Sequence, residues 1–124
     1  MRWGRVLLGG VLAEVALIVV VIPGALLGSE PIVTWSAVIG APITTFLAGV
    51  WAARSLDSRF VLHGGLVGVS AALIYLIPIM AGGVTQPAIY WLAHLLKILG
   101  GAAGGMYAAR RKASAPSPAT VSGA

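Results

Sequence analysis

Val6-Leu7-Leu8-Gly9-Gly10-Val11-Leu12-Ala13-Glu14-Val15-Ala16-Leu17-Ile18-Val19-Val20-Val21-Ile22-Pro23-Gly24-Ala25-Leu26-Leu27 is an apolar run broken by a single charge, Glu14. A bilayer core about 30 Å thick is crossed by roughly 20 apolar residues at about 1.5 Å rise each. This run is therefore long enough to span a membrane. Three more such runs follow, at about Val33–Ala53, Phe60–Gly82 and Ala88–Ala109, the last carrying His94 and Lys97. The connections Gly28–Ile32, Arg54–Arg59 and Gly83–Pro87 are short. Pro31 and Pro87 each stand just before an expected helix start, where a missing N–H costs least. The expected fold is all-α, an integral membrane four-helix bundle over residues 1–111. Residues 112–124 are mostly Ala, Ser, Pro and Thr without apolar periodicity, and read as a disordered cytoplasmic tail.

Composition agrees with the spans. Hydrophobic residues make up 59% of the 124 and charged residues 9%, and mean hydropathy is +0.99. A soluble domain carries roughly 25% charged residues, so this chain cannot build a water-facing surface. The net charge of +5 raises the question of nucleic acid. The cations, however, gather at helix ends rather than along one soluble face, and no nucleic-acid partner is expected. Without cysteine there is no disulfide, thiol nucleophile or thiolate metal site.

Orientation follows from the cations. Arg2, Arg5, Arg54, Arg59, Arg110, Arg111 and Lys112 are seven of the eight Lys and Arg residues, and all fall on one side of the four spans. By the positive-inside rule both termini are cytoplasmic. Trp35, Tyr90 and Trp91 fall near the outer boundary and Trp3, Trp51 and Tyr107 near the inner one, as aromatic belts do. The first apolar run is too long for the core of a cleaved signal peptide, and no clear A-x-A site follows. It reads as a retained span.

The chain repeats itself. Gly9-Gly10 precedes Ile22-Pro23 by the same thirteen residues that separate Gly64-Gly65 from Ile77-Pro78. One residue is then gained, after which Pro31 pairs with Pro87, Trp35 with Trp91, and the segment 49–54 with 105–110. Repeat 1 covers about 5–54 and repeat 2 about 60–110. Both copies begin on the cytoplasmic side, so the repeat is parallel, about an axis along the membrane normal. Small residues mark the packing faces: Ala37, Ala41, Thr45, Gly49 and Ala53 in the second run, and Ala93, Lys97, Gly101, Gly105 and Ala109 in the fourth. Shorter stripes are Gly9-Ala13-Ala16 and Gly64-Gly68-Ala71/Ala72. Pro23 and Pro78, at equivalent positions, should bend or end their helices.

Glu14, His94 and Lys97 are the ionisable residues deep within the spans. A charge at the bilayer centre costs at least ~2.5–3.5 kcal/mol, so such residues turn inward and pair. Glu14 lies about 13 Å along its helix from Arg5, and Lys97 about 19 Å before Arg110. A lysine side chain covers the difference. In the repeat Glu14 matches Val69 and Lys97 matches Ala41, so each half has gained one charge of opposite sign. These facts predict a Glu14–Lys97 ion pair between the halves. His94, three residues from Lys97, is placed to bond a neighbouring helix or to extend a relay. His63 sits near the inner boundary. One carboxylate with one or two imidazoles is too few ligands for a metal, and neither a metal nor a cofactor is expected.

Gly9-Gly10-Val11-Leu12-Ala13-Glu14-Val15 resembles the first helix of the small multidrug resistance transporters. That resemblance, over seven residues, implies Glu14 as a proton- and substrate-binding carboxylate. Over nearly the whole chain the pattern looks more like uncharacterised bacterial four-helix membrane proteins. It is carried by the basic N-terminus, the Gly-Gly pair, Arg-Phe-Val-Leu-His-Gly-Gly at 59–65 and Ala-His-Leu-Leu-Lys-Ile-Leu-Gly-Gly at 93–101. It implies a bacterial inner membrane and no particular activity.

The functional expectation is a polytopic inner-membrane protein without catalytic activity, serving as a structural or accessory component. The alternative is a small ion- or proton-coupled transporter using Glu14, Lys97 and His94. A membrane enzyme ranks last, because no nucleophile–base set is visible. The expected partners are the lipid bilayer and a second copy of the chain or another membrane protein.

Overall fold

The computed structural model describes residues 2–114. They form four helices and, among the described residues, no strand: α1 (Trp3–Leu26), α2 (Glu30–Ala53), α3 (Phe60–Ala81) and α4 (Ala88–Ser114). Each begins and ends within a few residues of its expected bounds, with one exception. α4 continues through Lys112 to Ser114, where a disordered tail was expected; the rest of that segment lies outside the described residues. The extension has a cause. Lys112 Nζ donates to the Leu56 carbonyl and to Asp57 Oδ1, the latter at 2.6 Å. This pins the last turn of α4 to the loop between α2 and α3.

Local chemistry sets the helix ends. Ser29 caps α2, its hydroxyl accepting from the Ile32 N–H at 3.4 Å, and Glu30 puts a carboxylate in the first turn, where the helix dipole favours it. Pro31 falls inside that first turn rather than ahead of it. α1 and α3 stop three residues past Pro23 and Pro78, and their ends match. Leu27 N–H donates to Pro23 O and Gly82 N–H to Pro78 O. Gly28 reaches Ala25 O as Gly83 reaches Met80 O. Ser29 reaches Gly24 O as Val84 reaches Ile79 O. Gly28 (φ 64) and Gly83 (φ 70) take the left-handed conformation these caps need. The two prolines thus sit in final turns and lead directly into the helix caps.

α4 packs on α2 and α3, α1 packs on the same two, and the backbones of α1 and α4 do not approach each other. α1 and α4 therefore occupy opposite corners of the bundle. Toward the end that carries the termini, glycines bring backbones into contact. Gly100 and Gly104 of α4 face Pro42 and Phe46 of α2, while Gly101 and Gly105 face Gly64 and Phe60 of α3. A Cβ at any of the four would strike a facing carbonyl oxygen. The α2 stripe is buried along its length, Ala41, Thr45 and Ala53 completely. On α1 the third small residue departs from expectation. Ala16 is exposed and Leu17 turns inward, packing on Val38, Ala41 and Ala93.

The outer surface is apolar. α1 alone exposes Leu7, Leu8, Val11, Leu12, Val15, Ile18, Val19 and Ile22, far more than a water-facing helix presents. Three helices, α1 to α3, are long and apolar enough to cross a membrane. α4 was expected to be a fourth, and is long enough but less apolar. It carries His94, Lys97 and four glycines, and turns them toward its neighbours.

Candidate functional site

Lys97 projects from α4 and Glu14 from α1, and they meet across the long diagonal of the bundle. Lys97 Nζ lies 2.6 Å from Glu14 Oε1, with side-chain exposures of 2% and 10%. Among the described residues Lys97 is the ionic partner of Oε1, and no other donor reaches it. The ring of Tyr75, from α3, stands 5.0 Å from Nζ and offers its face to the cation. Position 97 belongs to the small-residue stripe of α4, which explains why its side chain starts inside the bundle. The lysine then reaches where no backbone contact exists. Removing one partner of a buried pair leaves an uncompensated charge, at a cost of about 3–5 kcal/mol.

His94 is buried beside the pair but does not extend it. Its Nε2 is 3.2 Å from Gln86 Oε1. An amide oxygen only accepts, so Nε2 carries the proton. That leaves His94 Nδ1 and Gln86 Nε2 buried without partners. The imidazole also lies 5.2 Å from the Tyr75 ring and 6.0 Å from that of Trp91. The partner from a neighbouring helix expected for His94 is instead a loop residue, Gln86, which the sequence did not single out. A lone glutamine in a short polar loop gives no periodic signal.

Glu14, Lys97, His94, Tyr75 and Tyr90 face a cavity of about 350 Å³. Its walls are aliphatic, with Leu17, Ile18, Val21 and Ile22 from α1 and Val33 and Ala37 from α2. α3 contributes Tyr75 alone. Tyr90 OH lies 3.4 Å from Thr34 Oγ1, tying α4 to α2 beside it. The arrangement is an apolar chamber with an internally neutralised ion pair on its wall. A wider groove of about 520 Å³ between α1 and α2, around Trp35, Ile39 and Ile43, contains no charged side chain among the described residues and has nothing to do chemistry with.

His63 is far from this cluster. Its Nδ1 and backbone N–H both donate to the Arg59 carbonyl, at 2.9 and 3.0 Å, and its Nε2 accepts from the Arg2 N–H at 3.4 Å. It fastens the start of α3, where Arg59 is left-handed (φ 56), to the N-terminus. Among the described residues no three of His, Cys, Asp and Glu converge as metal ligands would. The chain matches no protein-family model, and no curated protein or solved structure is similar to it.

Proposed function

We propose that this chain is a multi-pass integral protein of a bacterial inner (plasma) membrane, with both termini cytoplasmic, acting as a non-catalytic structural or accessory component. The observation that carries this is the self-neutralised pair: Glu14 is held by Lys97 at 2.6 Å. A carboxylate so occupied is not open to a cationic solute, as the transporter resemblance of its helix would require. The pair instead joins two corners of the bundle whose backbones do not meet. The apolar exterior supports four spans, α4 included, because α4 hides its polar groups inside. The matched caps of α1 and α3 support a parallel repeat of two hairpins. The bacterial membrane rests on the resemblance of segments 59–65 and 93–101.

The cavity favours a second reading, a small ion- or proton-coupled carrier using Glu14, Lys97 and His94. Flux separates the two. In proteoliposomes under a pH gradient, the protein is expected to leave the gradient as stable as protein-free vesicles do. A dissipation that disappears with Glu14→Gln would replace the structural role by the carrier. Topology is tested separately, since the chain has no cysteine. In intact cells Ser29→Cys should react with a membrane-impermeant maleimide, and Ser58→Cys only after permeabilisation.

A further inference from the structure

The cations at the terminal end of the bundle are not equivalent. Arg5 is engaged, with its guanidinium donating to the Trp51 carbonyl at 2.7 Å and the Ala52 carbonyl at 3.3 Å and lying 4.5 Å from the Trp51 ring. Lys112 is engaged by Asp57 and the Leu56 carbonyl. Arg2 donates to Ser55 Oγ at 3.4 Å. Among the described residues, the side chains of Arg54, Arg59, Arg110 and Arg111 have no hydrogen-bond or ionic partner. Two of these four, Arg54 and Arg111, share one cavity of about 500 Å³ between the last turns of α2 and α4. Lys112 completes its cationic rim, and Val50, Tyr107 and Ala108 form the rest of the lining. Among the described residues no carboxylate lines it.

We propose that this cavity binds the phosphodiester headgroup of an anionic phospholipid, phosphatidylglycerol in kind, with Arg54 and Arg111 as its ligands. Guanidinium forks match phosphate oxygens in geometry and charge. The apolar lining of Val50 and the exposed Tyr107 continues along α2 to exposed Leu47, three residues before Val50 on the same helix face, a surface on which acyl chains can lie. Lipid rather than free phosphate is favoured because the cations and this surface adjoin, and basic pockets between spanning helices take anionic headgroups for the same reason. The inference rests on the membrane-spanning proposal above.

The test is native mass spectrometry of the full chain released from nanodiscs of mixed phosphatidylglycerol and phosphatidylcholine. Wild type is expected to retain phosphatidylglycerol preferentially. Arg54→Gln/Arg111→Gln is expected to lower that retention roughly twenty-five-fold, at about fivefold for each basic residue. Arg59→Gln/Arg110→Gln removes the same charge from the same end outside the cavity, and should leave most of the preference. Equal losses in the two double variants would overturn the site, as general surface charge would then explain the binding. So would glycerol phosphate binding in detergent as strongly as the lipid. A chain stripped from vesicles by carbonate would sink the membrane proposal itself. A chain that stays inserted but shows no lipid preference would sink this site alone.

Discussion

α4 carries one small-residue stripe through two different surroundings. At Gly101 and Gly105 the stripe is bare, and α3 comes close enough for backbone to meet backbone. At Lys97, one turn earlier on the same face, the stripe carries a long cation. Here Gly68 of α3 still lies against the Lys97 backbone, but the side chain runs across the bundle to Glu14 beside a cavity. The first region holds by shape and the second by charge. Van der Waals contact between glycine faces needs no partner chemistry, whereas a buried ammonium is tolerable only with its carboxylate in place.

The sharpest way to break this contrast is in the glycine region. Gly101→Ala would place a Cβ against the Gly64 carbonyl, within 3.1 Å of the Gly68 nitrogen. Both neighbours are backbone and cannot swing away. The cost should reach or exceed the ~3 kcal/mol upper range of ordinary overpacking, seen as a collapse of the detergent melting midpoint. Gly4→Ala, with nothing within 4 Å, should leave the midpoint unchanged or raise it slightly, as alanine is the better helix former.

A smaller effect is expected at the cavity's edge. His94→Phe keeps an aromatic ring packed beside Tyr75 but removes the donor to Gln86. It should cost about 1 kcal/mol, one neutral hydrogen bond, measured by the same melts. A loss as large as that of Lys97→Met would mean that His94 belongs to the ion pair after all.

The smallest effect lies at the clasp on the opposite end. The Lys112 ammonium, by its hydrogen bond first and its charge second, holds the exposed Asp57 carboxyl below its usual value of 3.8. A lowered carboxylate pKa contributes stability above the unfolded value and loses it as pH falls through the folded one. The midpoint difference between wild type and Asp57→Asn should therefore be fully present at pH 7, begin to shrink as pH falls to about 3.8, and vanish only below the lowered folded-state pKa. A difference that persisted in acid would remove the carboxylate charge from the explanation.

Much of this contrast could be read from residue spacing. The stripe Ala37 to Ala53 is buried as its four-residue period requires. Lys97 and Glu14 meet as their depths along the helices imply. What escaped was whatever depends on neighbours rather than period. Pro42 lies inside α2, with its carbonyl facing Gly100, and nothing in the local pattern says that a proline there would be accommodated. The second glycine row, Gly100 and Gly104, serves α2 while Gly101 and Gly105 serve α3. A single stripe could not show that α4 is packed on two sides. Lys112 resembled the start of a polar tail because its partners, Leu56 and Asp57, come from a distant loop.

The most direct measurement is the detergent thermal stability of wild type, Glu14→Gln, Lys97→Met and the double variant. Each single change is expected to cost about 3 kcal/mol or more, and the double to recover most of that loss, because the pair is a structural tie between α1 and α4. Silent single variants, or a double variant as unstable as the sum of the two, would show that Glu14 and Lys97 do not hold the bundle together.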